Sequence, residues 1–143
     1  MSFPKIAVSS ISFSRQNILR TEVSAIFPDV RFNEEGKRMS EDELISFSRG
    51  CDGVIVGLEP VTKHVIDSLP EVSIFAKYGV GLDNIDVSAL ESSGRTLGWE
   101  PGVNRRSVSE LALMFMLALT HNVHRTSGEM RRGIWNKDGG RLL

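Results

Sequence analysis

The chain has one cysteine, Cys51, so no internal disulfide can form, and such cysteine use suits a reducing compartment. It has no excess of either charge. Its 17 Lys and Arg against 18 Asp and Glu leave a formal net charge of −1, which argues against nucleic acid as a partner drawn by bulk positive charge. Long apolar stretches are also missing. Leu111 to Leu119 is the longest, and it falls well short of the roughly 20 residues a membrane span needs. The segment Lys5 to Ser14 lacks both the basic start and the apolar centre of a secretion signal. There is no internal repeat and no low-complexity tract. A soluble, cytoplasmic protein without a membrane partner is expected. What is present is ordinary for a globular chain: 143 residues, 41% hydrophobic and 24% charged, enough for one domain with a real core.

Along the chain, strand and helix patterns alternate. Lys5-Ile6-Ala7-Val8-Ser9 reads as a first strand, and Ser14 is placed to cap a helix in which Ile18, Leu19, Val23, Ile26 and Phe27 recur until Pro28. Val30 to Phe32 gives a second strand. Ser40-Glu41-Asp42-Glu43 forms a capping box opening a helix to about Arg49. Gly53 to Gly57 is a third strand, and Thr62 opens a short helix with Val65, Ile66 and Leu69. Val72 to Lys77 is the fourth strand, Asp86 to Ser93 a helix stopped by Gly94, and Arg95 to Trp99 a fifth strand. Five strand–helix alternations with short connections predict a doubly wound parallel α/β sheet. Ligands of such sheets bind at the carboxyl ends of the strands, where the turns at Ser9–Ser12, Gly57–Pro60, Tyr78–Leu82 and Trp99–Gly102 converge.

The organisation changes after Pro101. Ser107-Val108-Ser109-Glu110 reads as a second capping box for a helix to about His124, whose segment Leu111 to Leu119 has no polar face. Such a helix packs against another domain or subunit, or else covers the edge of the same sheet. Arg125 to Trp135 reads as a last polar helix and Asn136 to Leu143 as a loop, with Arg141-Leu142-Leu143 reading as an interruption of a longer chain.

Tyr78-Gly79-Val80-Gly81-Leu82 is the most informative turn. Glycines free the backbone and let a ligand approach, and successive N–H groups ahead of a helix make a pocket for a carboxylate or phosphate. A ligand-free strand-to-helix turn is the other reading, and the residues alone leave both open. Gly79-x-Gly81-x-x-Asn84 approaches a dinucleotide fingerprint, but asparagine replaces the third glycine and the turn follows the fourth strand rather than the first. A phosphate-accepting receiver would need acids where Ser9, Ser10 and Gly57 stand. His121 and His124 are spaced as metal ligands can be, yet histidines near a helix end also simply favour its dipole. Cys51 reads as core, and His64 as a surface residue. Arg105 and Arg106 either draw an anion to the crevice or belong to a solvated face. Leu58 and Tyr78 face the crevice, either walling a substrate or capping the core.

Ala76-Lys77-Tyr78-Gly79-Val80-Gly81-Leu82-Asp83-Asn84-Ile85-Asp86 resembles a hallmark of the NAD-dependent D-isomer-specific 2-hydroxyacid dehydrogenases, D-3-phosphoglycerate dehydrogenases especially. Val56-Gly57-Leu58-Glu59-Pro60-Val61-Thr62 is similar to the family's substrate loop, and Pro101 to Ala112 to its passage into the nucleotide domain. The resemblance implies a flavodoxin-like substrate-binding domain over residues 1–100. Residues 101–143 would then be the hinge, a crossover helix and the start of a nucleotide-binding domain. It implies that a small carboxylate substrate binds to Gly79, Val80 and Gly81, with Leu58 and Tyr78 beside it. Asn104 and Val108 would lie near the nicotinamide of NAD, and the 107–124 helix at a homodimer interface.

By that resemblance, the family's Gly-x-Gly-x-x-Gly loop falls shortly after residue 143. The arginine, acid and histidine that polarise the carbonyl and move the proton also come later. The chain alone is then expected to hold no catalytic residue and to turn nothing over, with no metal involved. Ser109 stands where the family has alanine, and Trp99-Glu100 where smaller or less charged residues are usual. The competing reading is a non-catalytic flavodoxin-like binding or dimerisation module.

Overall fold

A computed structural model describes residues 3–137. The chain divides into one unit ending at Pro101 and a second beginning at Gly102. The first contains β1 (Lys5–Val8), α1 (Ile11–Ser14), α2 (Asn17–Ile26), β2 (Asp29–Phe32), α3 (Glu41–Ser48) and β3 (Gly53–Val56). It continues through α4 (Lys63–Ser68), β4 (Ile74–Lys77), α5 (Val87–Ser92) and β5 (Thr96–Gly98). The strands form one sheet in the order β2-β1-β3-β4-β5, and every pair is parallel. Central strands covered on both faces must be apolar throughout. Ala7, Val8, Val54 and Val56 accordingly have at most 1% of their surface exposed. The core continues through Leu44, Val61, Val65, Ile66, Leu69, Phe75 and Leu90.

Of the three expected serine caps one forms, and the other two fail for visible reasons. The Ser40 box closes: the Ser40 N–H donates to Glu43 Oε2 at 2.9 Å, and the Glu43 N–H donates back to Ser40 Oγ at 3.4 Å. That backbone donor, with Lys37 beside it, pulls the Glu43 carboxyl down to about 2. Ser14, in contrast, caps nothing. It ends α1, a short helix capped by Ser10, and α2 begins after Gln16 with no side-chain cap. Ser14 is buried, donating to the Val8 carbonyl at 3.2 Å and accepting from the Asn33 N–H at 3.2 Å. Its hydroxyl fastens the ends of β1 and β2, which offer buried polar groups that need a partner.

The second unit contains α6 (Arg105–Thr120) and α7 (Val123–Arg131). The expected Ser107 box does not form. The helix starts at Arg105 behind Asn104, which makes no side-chain cap. Arg106 Nε takes the Glu110 carboxylate at 2.8 Å, leaving that carboxylate unavailable for the box. The helix also ends at Thr120 rather than His124. Asn122, at φ +51°, turns the chain into α7. On α6 the apolar side chains stand open, with Met116 at 62% and Leu119 at 65% exposure. No helix among the described residues is long and apolar enough to cross a membrane. The expected end at Arg141-Leu142-Leu143 lies outside the described residues.

Candidate functional site

Parallel strands deliver their carboxyl ends, and the loops that follow, to one edge of the sheet. Three of those loops are tied together there. The Val61 N–H donates to the Asn84 carbonyl at 2.7 Å and the Asp86 N–H to the Val61 carbonyl at 2.8 Å, a small parallel bridge between the loops after β3 and β4. Asn84 Nδ2 adds bonds to the Glu59 carbonyl at 2.6 Å and the Gly57 carbonyl at 3.3 Å, while its Oδ1 accepts from Lys77 Nζ at 2.7 Å. Lys77 Nζ also donates to the Gly57 carbonyl. Burial pushes the Lys77 ammonium below its ordinary value, and the Glu59 and Asp83 carboxylates pull it partly back.

Beneath this brace lies Glu59, with 1% of its surface exposed. Its Oε2 accepts from the Gly57 N–H at 2.7 Å and from Ser9 Oγ at 3.2 Å. A buried carboxylate persists when donors of this kind satisfy it. The loop after β1 presses on the loop after β3: a Cβ built on Gly57 would stand 2.9 Å from Ser10 Oγ and 3.4 Å from Ser10 Cα. Only glycine permits that approach.

The brace holds the turn after β4. The Tyr78 N–H still belongs to the sheet, donating to the Val56 carbonyl at 2.8 Å, and the Ile85 N–H closes the turn on the Leu82 carbonyl at 2.9 Å. Between them, the N–H groups of Gly79, Val80 and Gly81 donate to no acceptor among the described residues. Gly79 has φ +138°, a conformation that side-chain-bearing residues rarely adopt. Trp99 Nε1 donates to the Val80 carbonyl at 3.1 Å, fixing the middle peptide of the turn from β5. Three successive donors left open on a held backbone can accept an anion.

Beside the turn is a cleft of about 600 Å³, whose lining includes Ser10, Arg15, Arg38, Gly57, Leu58 and Tyr78. Leu58 is 66% exposed at its mouth, and Tyr78 packs edge-on against Phe13 with ring centroids 5.3 Å apart. Thus Leu58 and Tyr78 share the cleft, while Gly79, Val80 and Gly81 form the turn that continues from Tyr78. Asn104 and Val108 belong to the second unit, where the Val108 N–H donates to the Asn104 carbonyl at 3.0 Å. Glu59, Lys77 and Asn84 lie inside the quoted motifs without a role being legible there, and Arg15 and Arg38 lie outside every motif. Only the isolated acid in Gly57-Leu58-Glu59-Pro60, directly after an apolar strand, is a local signal.

A dinucleotide does not fit the glycine turn. Asn84, at the place of the third fingerprint glycine, spends its side chain on the β3 loop, and α5 opens behind the Asp86 carboxylate, which accepts from the Ala89 N–H at 2.9 Å. An acid at the helix start repels a pyrophosphate. Among the described residues, no three His, Cys, Asp or Glu are grouped to hold a metal. Cys51 is buried, and that burial raises its thiol pKa.

A doubly wound parallel sheet with a braced turn of open N–H groups and a cleft at its carboxyl edge defines the class of α/β domains whose ligands lie beyond the strand ends. The chain belongs to the D-isomer specific 2-hydroxyacid dehydrogenase family, whose catalytic domain matches residues 6–136. Hydroxypyruvate reductase of Thermotoga maritima is 32% identical over 102 residues, covering 71% of this chain and 33% of that protein. D-3-phosphoglycerate dehydrogenase of Methanocaldococcus jannaschii is 28% identical over 120 residues, covering 83% and 23%. The NAD+-bound 3-phosphoglycerate dehydrogenase of Entamoeba histolytica shares the fold, with a TM-score of 0.73 at 24% identity over 100% of this chain and 44% of that one. The chain therefore spans about a quarter to a third of the length of these two curated relatives.

Proposed function

We propose that this chain is the substrate-binding half of an oxidoreductase that moves a hydride between NAD and C2 of a D-2-hydroxy acid, in the manner of the phosphoglycerate dehydrogenases. One observation carries the reading: the open N–H groups of Gly79, Val80 and Gly81 on a braced turn beside a cleft. The N–H groups of Val80 and Gly81 hold the substrate carboxylate, and Leu58 and Tyr78 flank its body. Holding the carboxylate fixes where C2 faces, which is this half's contribution to rate. Residues 1–100 form the substrate domain, and 101–143 the hinge, crossover helix and start of a nucleotide domain.

The relatives' greater length supports placing NAD mainly in a further domain, with Asn104 and Val108 near its nicotinamide. The exposed apolar side chains of α6 support a homodimer formed through residues 107–124, because burying each such side chain contributes about 1.5–3 kcal/mol. The lone cysteine suits a cytoplasmic location.

Trp99 reports on this reading directly, since its indole is bonded to the Val80 carbonyl. In a Trp135→Phe background it is the only tryptophan. Titration with D-lactate is expected to change its emission saturably, with an affinity on the order of millimolar. An emission spectrum indifferent to D-lactate contradicts the proposal.

A further inference from the structure

The Val80 carbonyl and the Gly81 N–H belong to one peptide group. That group is planar and trans, so its carbonyl and its N–H point in opposite directions. A bond that fixes the carbonyl therefore also sets the direction of the N–H. Among the described residues Trp99 is the one group bonded to the Val80 carbonyl, through Nε1 at 3.1 Å. On the opposite side of the same plane, the Gly81 N–H has no acceptor among those residues.

The plane needs such a tether. Gly81 has no side chain, so the peptide before it meets little steric resistance to rotation. The backbone bonds that close the turn, from Tyr78 to the Val56 carbonyl and from Ile85 to the Leu82 carbonyl, leave this peptide out. Trp99 reaches it from the sheet. β5 runs parallel to β4 with Gly98 opposite Ala76, so the chain leaves β5 at Trp99 level with Lys77, three residues before Val80. The Trp99 side chain stands outside the buried core with 39% of the residue exposed. Its bond to the turn is therefore separable from the packing that holds the sheet together.

We infer that Trp99 is a positioning residue for the substrate: its indole N–H holds the Val80–Gly81 peptide so that the Gly81 N–H is aimed at the carboxylate. The inference rests on the reading of the glycine turn as the carboxylate site. Trp99 does not touch the acid in this arrangement and acts only through the peptide. Two effects combine. The tether removes the rotation that the peptide would otherwise lose on binding, and a preorganised donor binds more tightly than a free one. Linked hydrogen bonds also polarise one another. Indole N–H to carbonyl, and amide N–H to carboxylate, form one such chain across a single peptide, so the indole bond makes Gly81 a stronger donor. The coupling is reciprocal: an acid bound at Gly81 strengthens the bond from Trp99.

The test is titration of the 143-residue Trp135→Phe chain with D-lactate, followed by 13C and 15N resonances, with Trp99 either intact or replaced biosynthetically by 3-benzothienylalanine. That isostere keeps the bicyclic shape and exchanges the N–H for sulfur. Trp99→Phe gives a second comparison, and urea unfolding confirms that all three are folded in the titration buffer. In the free chain the isostere is expected to move the Val80 carbonyl and Gly81 amide resonances together. It should weaken D-lactate binding about fivefold, the worth of one hydrogen bond, and Trp99→Phe should weaken it by a similar factor. With Trp99 intact, its indole N–H resonance should follow the same binding curve as the Gly81 amide. An isostere that binds D-lactate as tightly as tryptophan overturns the positioning role while leaving the glycine turn standing. Weakened binding with the Val80 and Gly81 resonances unmoved overturns it too. Failure of the intact chain to bind D-lactate overturns the carboxylate reading of the turn, and this inference with it.

Discussion

Replacing Asn84 by glycine is expected to destabilise the first unit by about 2–4 kcal/mol, although it completes a glycine fingerprint in the sequence. The substitution removes two hydrogen bonds to the Gly57 and Glu59 carbonyls and one of the two acceptors of the Lys77 ammonium. Each lost bond costs about 1 kcal/mol, more where a charged group loses its partner, and glycine adds about 0.5–1 kcal/mol of backbone entropy. For a unit of this size, thermal unfolding should move down by roughly 4–8 °C for each kcal/mol lost. Fluorescence titration with NADH should detect no gain of nucleotide binding. An unchanged melting temperature together with new NADH affinity would mean that the turn belongs to a dinucleotide, not a carboxylate.

Gly79→Ala should have the sharper functional effect. At φ +138° an alanine costs on the order of 1–3 kcal/mol if the turn keeps its shape. The chain can relieve that strain by rotating the peptides on either side, which redirects the N–H groups proposed to hold the carboxylate. Loss of roughly 1–3 kcal/mol in urea unfolding and a drop of at least about tenfold in D-lactate affinity are therefore expected together. Gly81 offers the comparison for stability, because its φ is not positive and an added Cβ would meet only the end of the Asp83 side chain, at 3.3 Å. Equal destabilisation by alanine at both positions would show that backbone strain at Gly79 is not what shapes the turn.

The sheet was readable because its evidence is local. Gly53 to Val56 must be apolar to lie between two layers of helices, and Ser40 with Glu43 forms a box whose partners are three residues apart. The convergence of the loops at Ser10, Leu58 and Tyr78 followed from parallel topology alone. Ser14 misled because a serine before an amphipathic helix looks the same whether it serves that helix or the end of a strand, and Val8 and Asn33 had the stronger claim. The Ser107 box failed because Arg106 offers Glu110 a charged partner one turn away.

The brace formed by Lys77 and Asn84 joins the two side chains to each other, 7 positions apart, and to the Gly57 and Glu59 carbonyls, 20 to 27 positions away. No spacing rule encodes such bonds. Arg15 and Arg38 come to line one cleft where Asn33 fastens the loop after β2 to the end of β1, a contact invisible until the strands are in order.

The most direct measurement is the amide spectrum of 15N-labelled chain during titration with D-lactate. The account predicts saturable shifts led by Gly79, Val80 and Gly81, with the core strand amides of Val54 and Val56 unmoved. Shifts confined to other loops, with the three turn amides stationary at saturating acid, would contradict it.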